Sequence, residues 1–322
     1  MVGFHFVLPN LLATLLLNIK SPQYKAASLH QLAGIYANQG NVTEAIALYR
    51  QSLDLLERIG DVQGKAASLH QLAGIYKNQG NVTEAITLYQ QSLDLLERIG
   101  DVQGKAASLH QLAGIYANQG NVTEAITLYQ QSLDLLERIG DVQGKAASLH
   151  QLAGIYANQG NVTEAIALYQ QSLDLHERIG DVQGKAASLH GLAGIYANQG
   201  NVTEAIALYQ QSLELDERIG NVQGKAASLH CLATIYAKQR NVTEAISLYQ
   251  HSLELKERIG DVQGKATSLA MLGQLLAYAR GDFSTALSYL EQSLDIFQHL
   301  QSPDAQEVRQ FLARIQRSAN EE

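Results

Sequence analysis

A block of sequence typified by GKAASLHQLAGIYANQGNVTEAI recurs along this chain with a fixed period of 40 residues. One leucine position marks seven successive copies, at Leu29, Leu69, Leu109, Leu149, Leu189, Leu229 and Leu269. A period of about 20–50 residues is typical of solenoids, in which each unit packs on its neighbours and no single globular core forms. The repetition therefore predicts one elongated array. It disfavours a unique active site, because nearly every polar group occurs several times.

Each copy contains two runs of apolar residues with helical spacing. In the second copy the first stripe consists of Ala66, Leu69, Leu72, Ala73 and Tyr76, and the second largely of Val82, Ala85, Ile86, Tyr89, Leu93 and Leu95. This spacing predicts two amphipathic helices per copy. Gly80-Asn81 and Gly100-Asp101 predict the turns between them, and Asn81 with Glu84 has the spacing of a capping box. The pattern predicts an unbroken string of antiparallel helix pairs without strands.

These residues resemble the tetratricopeptide repeat from about Pro22 to Leu300. The family's characteristic positions fall on Leu29, Leu32, Ala33, Tyr36, Gly40, Ala45 and Tyr49, while Ser52 and Glu57 depart from its shorter form. The 40-residue period is similar to the longer repeat variant of kinesin light chain, Pins-type and bacterial signalling arrays. The resemblance implies an all-α fold, an α-solenoid built as a right-handed superhelix of antiparallel helix pairs.

Three segments follow from this register. Residues 1–20 are predicted to be a degenerate apolar N-terminal helix or eroded repeat, because Ile19 aligns with Ile59. Residues 21–302 are predicted to hold seven repeats, numbered 1 to 7 here from residues 21, 61, 101, 141, 181, 221 and 261. Residues 303–322 are predicted to form a capping helix and tail. A signal or membrane anchor within residues 2–19 stays open as an alternative, although Pro9 and Asn10 disfavour a spanning helix.

Charge and cysteine content limit the classes of partner and the cellular location to be expected. With 23 Lys and Arg against 31 Asp and Glu, the formal net charge is −8 and no basic run is present, which disfavours nucleic-acid binding. The single cysteine, Cys231, rules out an internal disulfide and favours a reducing, cytoplasmic location. We therefore expect a protein or peptide partner.

The resemblance implies that the first helices of the repeats line a concave groove that holds an extended or helical peptide. The candidate groove residues are His30, Gln31, Gly34, Asn38, His70, Gln71, Gly74, Asn78, His110, Gln111, Gly114, Asn118, His150, Gln151, Gly154, Asn158, His190 and Asn198. Amide side chains can bond a peptide backbone, and small residues between them allow its close approach. Basic groups occur on this face only at Lys77 and Lys238, so a clamp for an acidic terminus is disfavoured.

Neither metal binding nor catalysis is expected, and no cofactor is predicted. The histidines His30, His70, His110, His150, His190 and His230 recur once per repeat. Packed helices lie about 8–10 Å apart, whereas zinc requires each nitrogen at about 2.0–2.1 Å. We expect these histidines to be neutral or weakly titrating groove residues. Ser68 and His70 recur together, but their spacing on a helix points them to different sides and no unique acid completes a triad.

Differences between copies suggest further sites. Leu56, Leu96 and Leu136 become His176, Asp216 and Lys256 in later copies, which predicts a solvent-exposed position and a row of exposed leucines. Alternatively, these leucines pack under the following turn. Arg240 replaces the turn glycine and is expected to weaken that turn by about 1 kcal/mol if it keeps a left-handed conformation.

The sequence thus predicts a protein-interaction scaffold that binds a peptide or helix in its groove, and no enzyme. Two alternatives stay open. One is a structural array that self-assembles as a homo-oligomer. The other is a membrane-anchored assembly factor, which depends wholly on residues 2–19.

Overall fold

The computed structural model describes residues 19–321. Within that range the chain is helical apart from short turns, and it contains no strand. None of the helices in this range is both long and apolar enough to cross a membrane. The predictions for the apolar N-terminal segment fall on residues 1–18, which lie outside the described residues.

Fourteen helices of the described range follow one another as the first and second helices of the predicted pairs. The first helices of the pairs are α1 (Pro22–Asn38), α3 (Val62–Asn78), α5 (Val102–Asn118), α7 (Val142–Asn158), α9 (Val182–Asn198), α11 (Val222–Lys238) and α13 (Val262–Leu275). The second helices are α2 (Val42–Ile59), α4 (Val82–Ile99), α6 (Val122–Ile139), α8 (Val162–Ile179), α10 (Val202–Ile219), α12 (Val242–Ile259) and α14 (Phe283–His299). A π-helical turn, Leu276–Arg280, extends α13, and α15 (Asp304–Glu321) follows the last pair.

The chain comprises two compact units, residues 1–155 and 156–322. In the first unit α1 packs on α2, α3 on α4 and α5 on α6, and each of α2 and α4 also packs on the next first helix. In the second unit the pairs α9–α10, α11–α12 and α13–α14 are joined in the same way, and α15 packs on α14. Val308 and Ile315 of α15 are buried against the last pair, as its predicted apolar face requires.

The two kinds of helix start differ in how they are capped. Asp101, before α5, accepts a hydrogen bond from Gly104 N at 2.9 Å, as a capping aspartate should. Asn81, before α4, makes no side-chain cap, so the predicted capping box with Glu84 is wrong. The backbone N–H of Asn81 instead donates to the carbonyl oxygen of Tyr76 at 2.9 Å. The backbone thus closes this turn without help from the asparagine side chain.

The turn at the end of each second helix requires a left-handed residue. Gly60, for example, has φ of 71° and ends α2. Glycine adopts this conformation without a steric penalty from Cβ. At the other kind of turn, Arg240 keeps the left-handed conformation of the glycine that it replaces, with φ of 63°. The condition for the predicted loss of stability at this turn is therefore met.

The core of each repeat combines small residues with leucine and tyrosine. Ala66, Leu69 and Leu72 of α3 are buried as predicted. On the second helix the prediction is partly wrong, because Ile86, Leu93 and Leu95 are only partly buried. The face that packs most deeply consists of Ala85, Leu88, Tyr89, Ser92 and Leu96.

The predicted row of exposed leucines is also wrong. Leu96 is only 4 % exposed, and Leu56 and Leu136 are equally buried. Leu96 packs on the first turn of α5, where a Cβ added at Gly104 would lie 2.6 Å from its Cδ2 atom. The alternative, that these leucines pack under the following turn, describes this contact. The position occupied by Leu56, Leu96, Leu136, His176, Asp216 and Lys256 is called the floor position below.

Candidate functional site

Two cavities in the first unit gather much of the predicted groove surface. One of about 290 Å³ lies between repeats 2 and 3 and is lined by Gln63, Ala66, Ala67, His70, Gln71, Ser92, Leu96, Asp101, Gly104, Ala107 and Ser108. The second, of about 310 Å³, is lined by Lys77, His110, Gln111, Gly114, Ala117, Asn118, Tyr129, Gln151 and Ile155. Most lining residues of both cavities belong to successive first helices, and one or two belong to a second helix.

A third cavity, of about 390 Å³, lies in the second unit between repeats 5 and 6. Its lining is Gly194, Ala197, Asn198, Val202, Tyr209, Cys231, Thr234, Ile235, Lys238 and Gln239. The three cavities contain His70, Gln71, His110, Gln111, Gly114, Asn118, Gln151 and Asn198 of the predicted site. His30, Gln31, Gly34, Asn38, Gly74, Asn78, His150, Gly154, Asn158 and His190 do not line them.

The recurring histidines join consecutive repeats. Nδ1 of His30 lies 2.8 Å from Oγ of Ser68, and the same contact joins His70 to Ser108 and His110 to Ser148. The serine is buried on the first helix of the next repeat, 38 residues further along the chain. Each of these histidines also meets the tyrosine of its own repeat edge to face, as in His70 and Tyr89 with ring centroids 5.2 Å apart. The ring therefore bridges two repeats.

Burial keeps these histidines neutral. It lowers the pKa of His110 to about 4, with a smaller contribution from the positive charge of Lys77. Burial likewise lowers the pKa of His30, His70 and His190. Because Nδ1 is engaged with serine, only Nε2 of each ring is left for other partners. Among residues 19–321, no group of three or more His, Cys, Asp or Glu is arranged to hold a metal ion.

Some helix glycines of the predicted groove lie over buried tyrosines. A Cβ added at Gly114 would lie 3.2 Å from Oη of Tyr129, and one added at Gly34 would lie 3.4 Å from Oη of Tyr49. Burial raises the pKa of Tyr129 to about 12, so its hydroxyl stays protonated. Repeat 6 has Thr234 at this position, and its Oγ1 lies 2.8 Å from Oη of Tyr249. The glycine thus leaves room above a phenolic hydroxyl.

Lys77 supplies the cation of the second cavity. Its Nζ donates to Oε1 of Gln111 at 2.7 Å, and both residues line the cavity wall. Asn118 and Gln151 provide further amide groups there. Carboxylates are missing from this lining, so its polar groups are amides, one ammonium group, a phenol and a neutral histidine. Such a surface can bond peptide carbonyl and N–H groups.

In repeats 4 to 6 the floor position carries a buried polar group. Nδ1 of His176 lies 2.9 Å from Oδ2 of Asp181, at an ion-pair distance but without hydrogen-bond alignment. Oδ1 of Asp216 accepts from Nδ2 of Asn221 at 2.8 Å. Burial raises the pKa of Asp216, while hydrogen bonds from Asn221 and Ser212 oppose that rise.

Asn221 is itself an exception in the array. The same position holds Asp61, Asp101, Asp141, Asp181 and Asp261 in the other repeats with a preceding floor residue. Asparagine appears only after Asp216, where a second carboxylate would face the first. Its Oδ1 still accepts from Gly224 N at 3.2 Å, so the cap is kept while a donor is gained.

Two contacts of the described residues were not predicted from the sequence. One is the pairing of each histidine with a serine in the next repeat. The signal for it was the recurrence of a serine at Ser68, Ser108, Ser148, Ser188, Ser228 and Ser268 within an otherwise apolar stripe. The other is the burial of the floor position, for which the paired change at Asp216 and Asn221 was the available signal.

Comparisons with known proteins agree with this geometry. A model described as Tetratricopeptide repeat matches residues 24–98, 64–138, 104–153, 144–218 and 224–299. No curated protein sequence matches the chain.

Solved structures show similar repeats. A Podosopora anserina chain described as a kinesin light chain with nearly identical TPR-like repeats is 28 % identical, with TM-score 0.51, 62 % of this chain covered and 99 % of the other. A Pyrococcus horikoshii signal transduction ATPase with a tetratricopeptide repeat sensor is 17 % identical, with TM-score 0.71, 94 % of this chain covered and 46 % of the other. A Rap protein complexed with Competence and Sporulation Factor is 14 % identical, with TM-score 0.58, 93 % of this chain covered and 99 % of the other.

Proposed function

Because the chain belongs to the tetratricopeptide repeat family, we propose that it is a non-enzymatic scaffold that binds a peptide or helical segment of a partner protein along its first helices. The cavity lined by Lys77, Gln111, Gly114, Asn118 and Gln151 is the observation that carries this proposal. Its amides and single cation can bond a peptide backbone, while Gly114 and Ala117 allow close approach. The Rap protein in complex with Competence and Sporulation Factor supports the proposal by analogy of fold alone.

The scaffold proposal is tested by filling this cavity with side chains that the array already tolerates. Gly114→Thr copies Thr234, and Ala117→Lys copies Lys77. The matched control is Thr127→Ala on the exposed face of α6, which copies Ala47 and Ala167. Partners are captured from the native organism with each immobilised variant and identified. We expect the wild type and Thr127→Ala to capture the same chains and the double variant to lose them at unchanged thermal stability. Equal capture by the wild type and both variants would refute a groove site.

A second candidate, self-association, rests on the first repeat. Ile35 is 53 % exposed, whereas the equivalent Ile75, Ile115, Ile195 and Ile235 are all buried. Ile235, for example, packs on Ala205 and Tyr209 of the preceding repeat. A second copy of the chain is one occupant that would cover Ile35. Light scattering over a concentration series tests this candidate, since a monomer at every concentration rejects it, and Ile35→Glu should abolish any association that is seen.

A further inference from the structure

Most of the sulfur-containing side chains of this protein fall at one position of the repeat. The chain has one cysteine and two methionines. Thiolate and thioether sulfur are soft donors that favour soft metal ions such as copper(I). In repeats 6 and 7 the residues Cys231 and Met271 occupy the position at which the first four repeats have Gln31, Gln71, Gln111 and Gln151. The late repeats therefore replace an amide by a soft donor at this position.

The thiol of Cys231 faces an imidazole of the preceding repeat. Its Sγ lies 4.0 Å from Nε2 of His190, which is long for a hydrogen bond. Bonds from a metal ion to imidazole nitrogen and to thiolate sulfur are about 2.0–2.3 Å long, so two such donors in line with one ion lie about 4 Å apart. The observed separation therefore fits one ion between the two atoms. Because only one histidine is involved, the helix spacing that excludes a zinc ion shared between the recurring histidines does not bear on this pair.

A chain of hydrogen bonds fixes the proton of His190 on its other ring nitrogen. Oγ of Ser212 donates to the carbonyl oxygen of Ala186 at 3.0 Å, and Oγ of Ser228 donates to Oγ of Ser212 at 3.3 Å. Ser228 has then used its only hydroxyl hydrogen, so its Oγ accepts from Nδ1 of His190 at 3.0 Å. Nε2 is therefore unprotonated, and its lone pair faces Cys231. Metal-bound histidines commonly donate their second ring N–H in this way.

The sulfur is accessible from a cavity without hard donors. Cys231 is partly exposed and lines the cavity of about 390 Å³ between repeats 5 and 6. The lining of this cavity contains no Asp or Glu, the oxygen donors that Mg²⁺ and Ca²⁺ prefer. A small soft ion can therefore reach the thiol, and this cavity offers little to a hard one.

The charges around the pair favour a monovalent ion. Burial raises the pKa of the Cys231 thiol, while a hydrogen bond from Tyr209 and the positive charge of Lys256 oppose that rise. Lys238 adds a second cation in the cavity lining. The thiolate supplies one negative charge, and the neutral imidazole of His190 supplies none. A monovalent ion therefore gives a neutral complex, whereas a divalent ion leaves a net positive charge near two lysines, which is costly in a partly buried site.

We propose that Sγ of Cys231 and Nε2 of His190 form a two-coordinate site for copper(I). The ion replaces the thiol proton: the S–H bond breaks, a copper–sulfur bond forms, the proton leaves to solvent, and the lone pair of Nε2 completes the coordination. Copper stays in the +1 state, so no oxidant or reductant is consumed. Tyr209 donates its hydroxyl hydrogen to the thiolate, and Ser228 holds the imidazole in place. This ion site does not depend on peptide binding by the groove.

The site is tested on the full chain with two variants that the array should tolerate. Cys231→Gln removes the sulfur and restores the residue of the first four repeats. In the matched control this change is combined with Ala207→Cys, which moves the single thiol to the exposed face of α10. Position 207 has Ser247 as its equivalent in repeat 6, and no histidine lies within four positions of it along the helix. Copper(I) is titrated without oxygen against the chelator bathocuproine disulfonate, whose copper complex is coloured.

We expect the wild type to take one copper(I) ion per chain from the chelator and Cys231→Gln to take none. The variant with the relocated thiol should bind copper(I) at least about tenfold more weakly, because it lacks the imidazole ligand. Equal affinities of the wild type and the relocated thiol would overturn the site. Displacement of the bound copper(I) by an equimolar amount of zinc(II) would overturn its assignment to a monovalent ion.

NMR of the protein labelled with ¹⁵N in its histidine rings tests the second ligand directly. His190→Gln assigns the ring signals of His190 by their loss. At saturation with copper(I), the Nε2 signal of His190 should leave the position of an unprotonated nitrogen, while its Nδ1 signal stays that of a protonated one. In Cys231→Gln neither signal should move. A His190 Nε2 signal that does not move in copper-loaded wild type would refute the coordination, whatever the affinity.

Discussion

Replacing Asn221 by aspartate should reveal how the array accommodates a buried acid. Asn221→Asp puts a carboxylate oxygen where Nδ2 now donates to Oδ1 of Asp216 at 2.8 Å. Two unit charges about 3 Å apart repel by about 1.4 kcal/mol in water and by about 5.5 kcal/mol at an effective dielectric constant of about 20. The hydrogen bond that is lost was worth about 1 kcal/mol. Because residue 221 is partly exposed, water screens the two charges and the repulsion energy lies near the lower of these two values. We expect repeats 5 and 6 to lose about 1–3 kcal/mol near neutral pH.

The control uses the same substitution in an apolar setting. Asp216→Leu together with Asn221→Asp recreates the pair Leu96 and Asp101, which folds normally in repeats 2 and 3. In that background Asn221→Asp should cost nothing, since the aspartate simply caps its helix. Asp216→Leu alone should raise stability, because it removes a buried carboxylate and buries a leucine side chain worth about 1.5–3 kcal/mol. The four proteins form a double-mutant cycle whose coupling energy measures the repulsion.

The dependence of stability on pH tests the repulsion between the two carboxylates independently. The two neighbouring carboxylates raise each other's pKa in the folded state, in addition to the rise that burial already causes at Asp216. A raised folded pKa favours folding of the protonated form, so the penalty is absent below the unfolded pKa of about 3.9 and appears as pH rises through the folded pKa. The difference between Asn221→Asp and wild type should therefore shrink as pH falls from about 7 to about 4.

Hydrogen exchange is the appropriate assay, since repeat arrays open locally and a whole-chain melt can miss a change in one interface. Amides of α10 and α11 should exchange faster in Asn221→Asp, while those of α3 and α4 should be unchanged. If Asn221→Asp costs as much in the Asp216→Leu background as in the wild type, the reasoning is refuted, because the loss would then lie in the cap instead of the carboxylate pair.

Three further predictions concern single positions. Lowering the pH from about 6.5 to about 4 should destabilise the wild type, because burial lowers the pKa of His110 and His230 to about 4 and these histidines bind protons mainly after unfolding. In urea melts at several pH values, His110→Gln should reduce the dependence of the free energy of unfolding on pH. Arg240→Gly should stabilise repeat 6 by about 1 kcal/mol, measured by slower exchange of its turn amides, because φ there is 63°. Gly104→Ala should destabilise the array, since a Cβ at Gly104 would lie 2.6 Å from Cδ2 of Leu96. Gly114→Thr should not, because Thr234 already occupies the equivalent position in repeat 6. Thermal melts that rank the two variants in the opposite order would contradict this prediction.

The periodic part of the structure could be predicted because local signals agree with one another. Apolar spacing, turn glycines and capping aspartates all point to the same helix boundaries, and the helix pairs begin and end where these residues fall. The same register predicted a set of groove residues, and of these His110, Gln111 and Gly114 line one cavity. Contacts across 38 residues were not predicted, because a periodicity within one helix does not say which residue of the next repeat meets it.

Variation between copies at the floor position does not reflect exposure to solvent. Leucine, histidine, aspartate and lysine at one position suggested exposure to solvent, since water accommodates all four. The position is instead buried, and neighbouring side chains supply hydrogen bonds in two repeats: Asn221 donates to Asp216, and Ser268 accepts from Lys256. His176 has Asp181 at an ion-pair distance without a hydrogen bond. A buried position accepts varied chemistry when its neighbours supply hydrogen-bond partners. Tolerance of polar residues therefore indicated polar neighbours and not solvent.

The floor position differs between the first three repeats and the later ones, and this difference alters what the repetition implies about partner recognition. Repeats 1 to 3 place a buried leucine at the floor position, so this position does not distinguish one of these repeats from another. Repeats 5 and 6 place Asp216 and Lys256 there, two buried groups of opposite charge that meet different partners. Because Asn221 and Ser268 already pair with these groups, they distinguish repeats 5 and 6 from the leucine repeats whether or not a ligand is bound. If the array binds a peptide as proposed, these two repeats are where its register can be set, and reverting both residues to leucine should let the peptide slide without abolishing its binding.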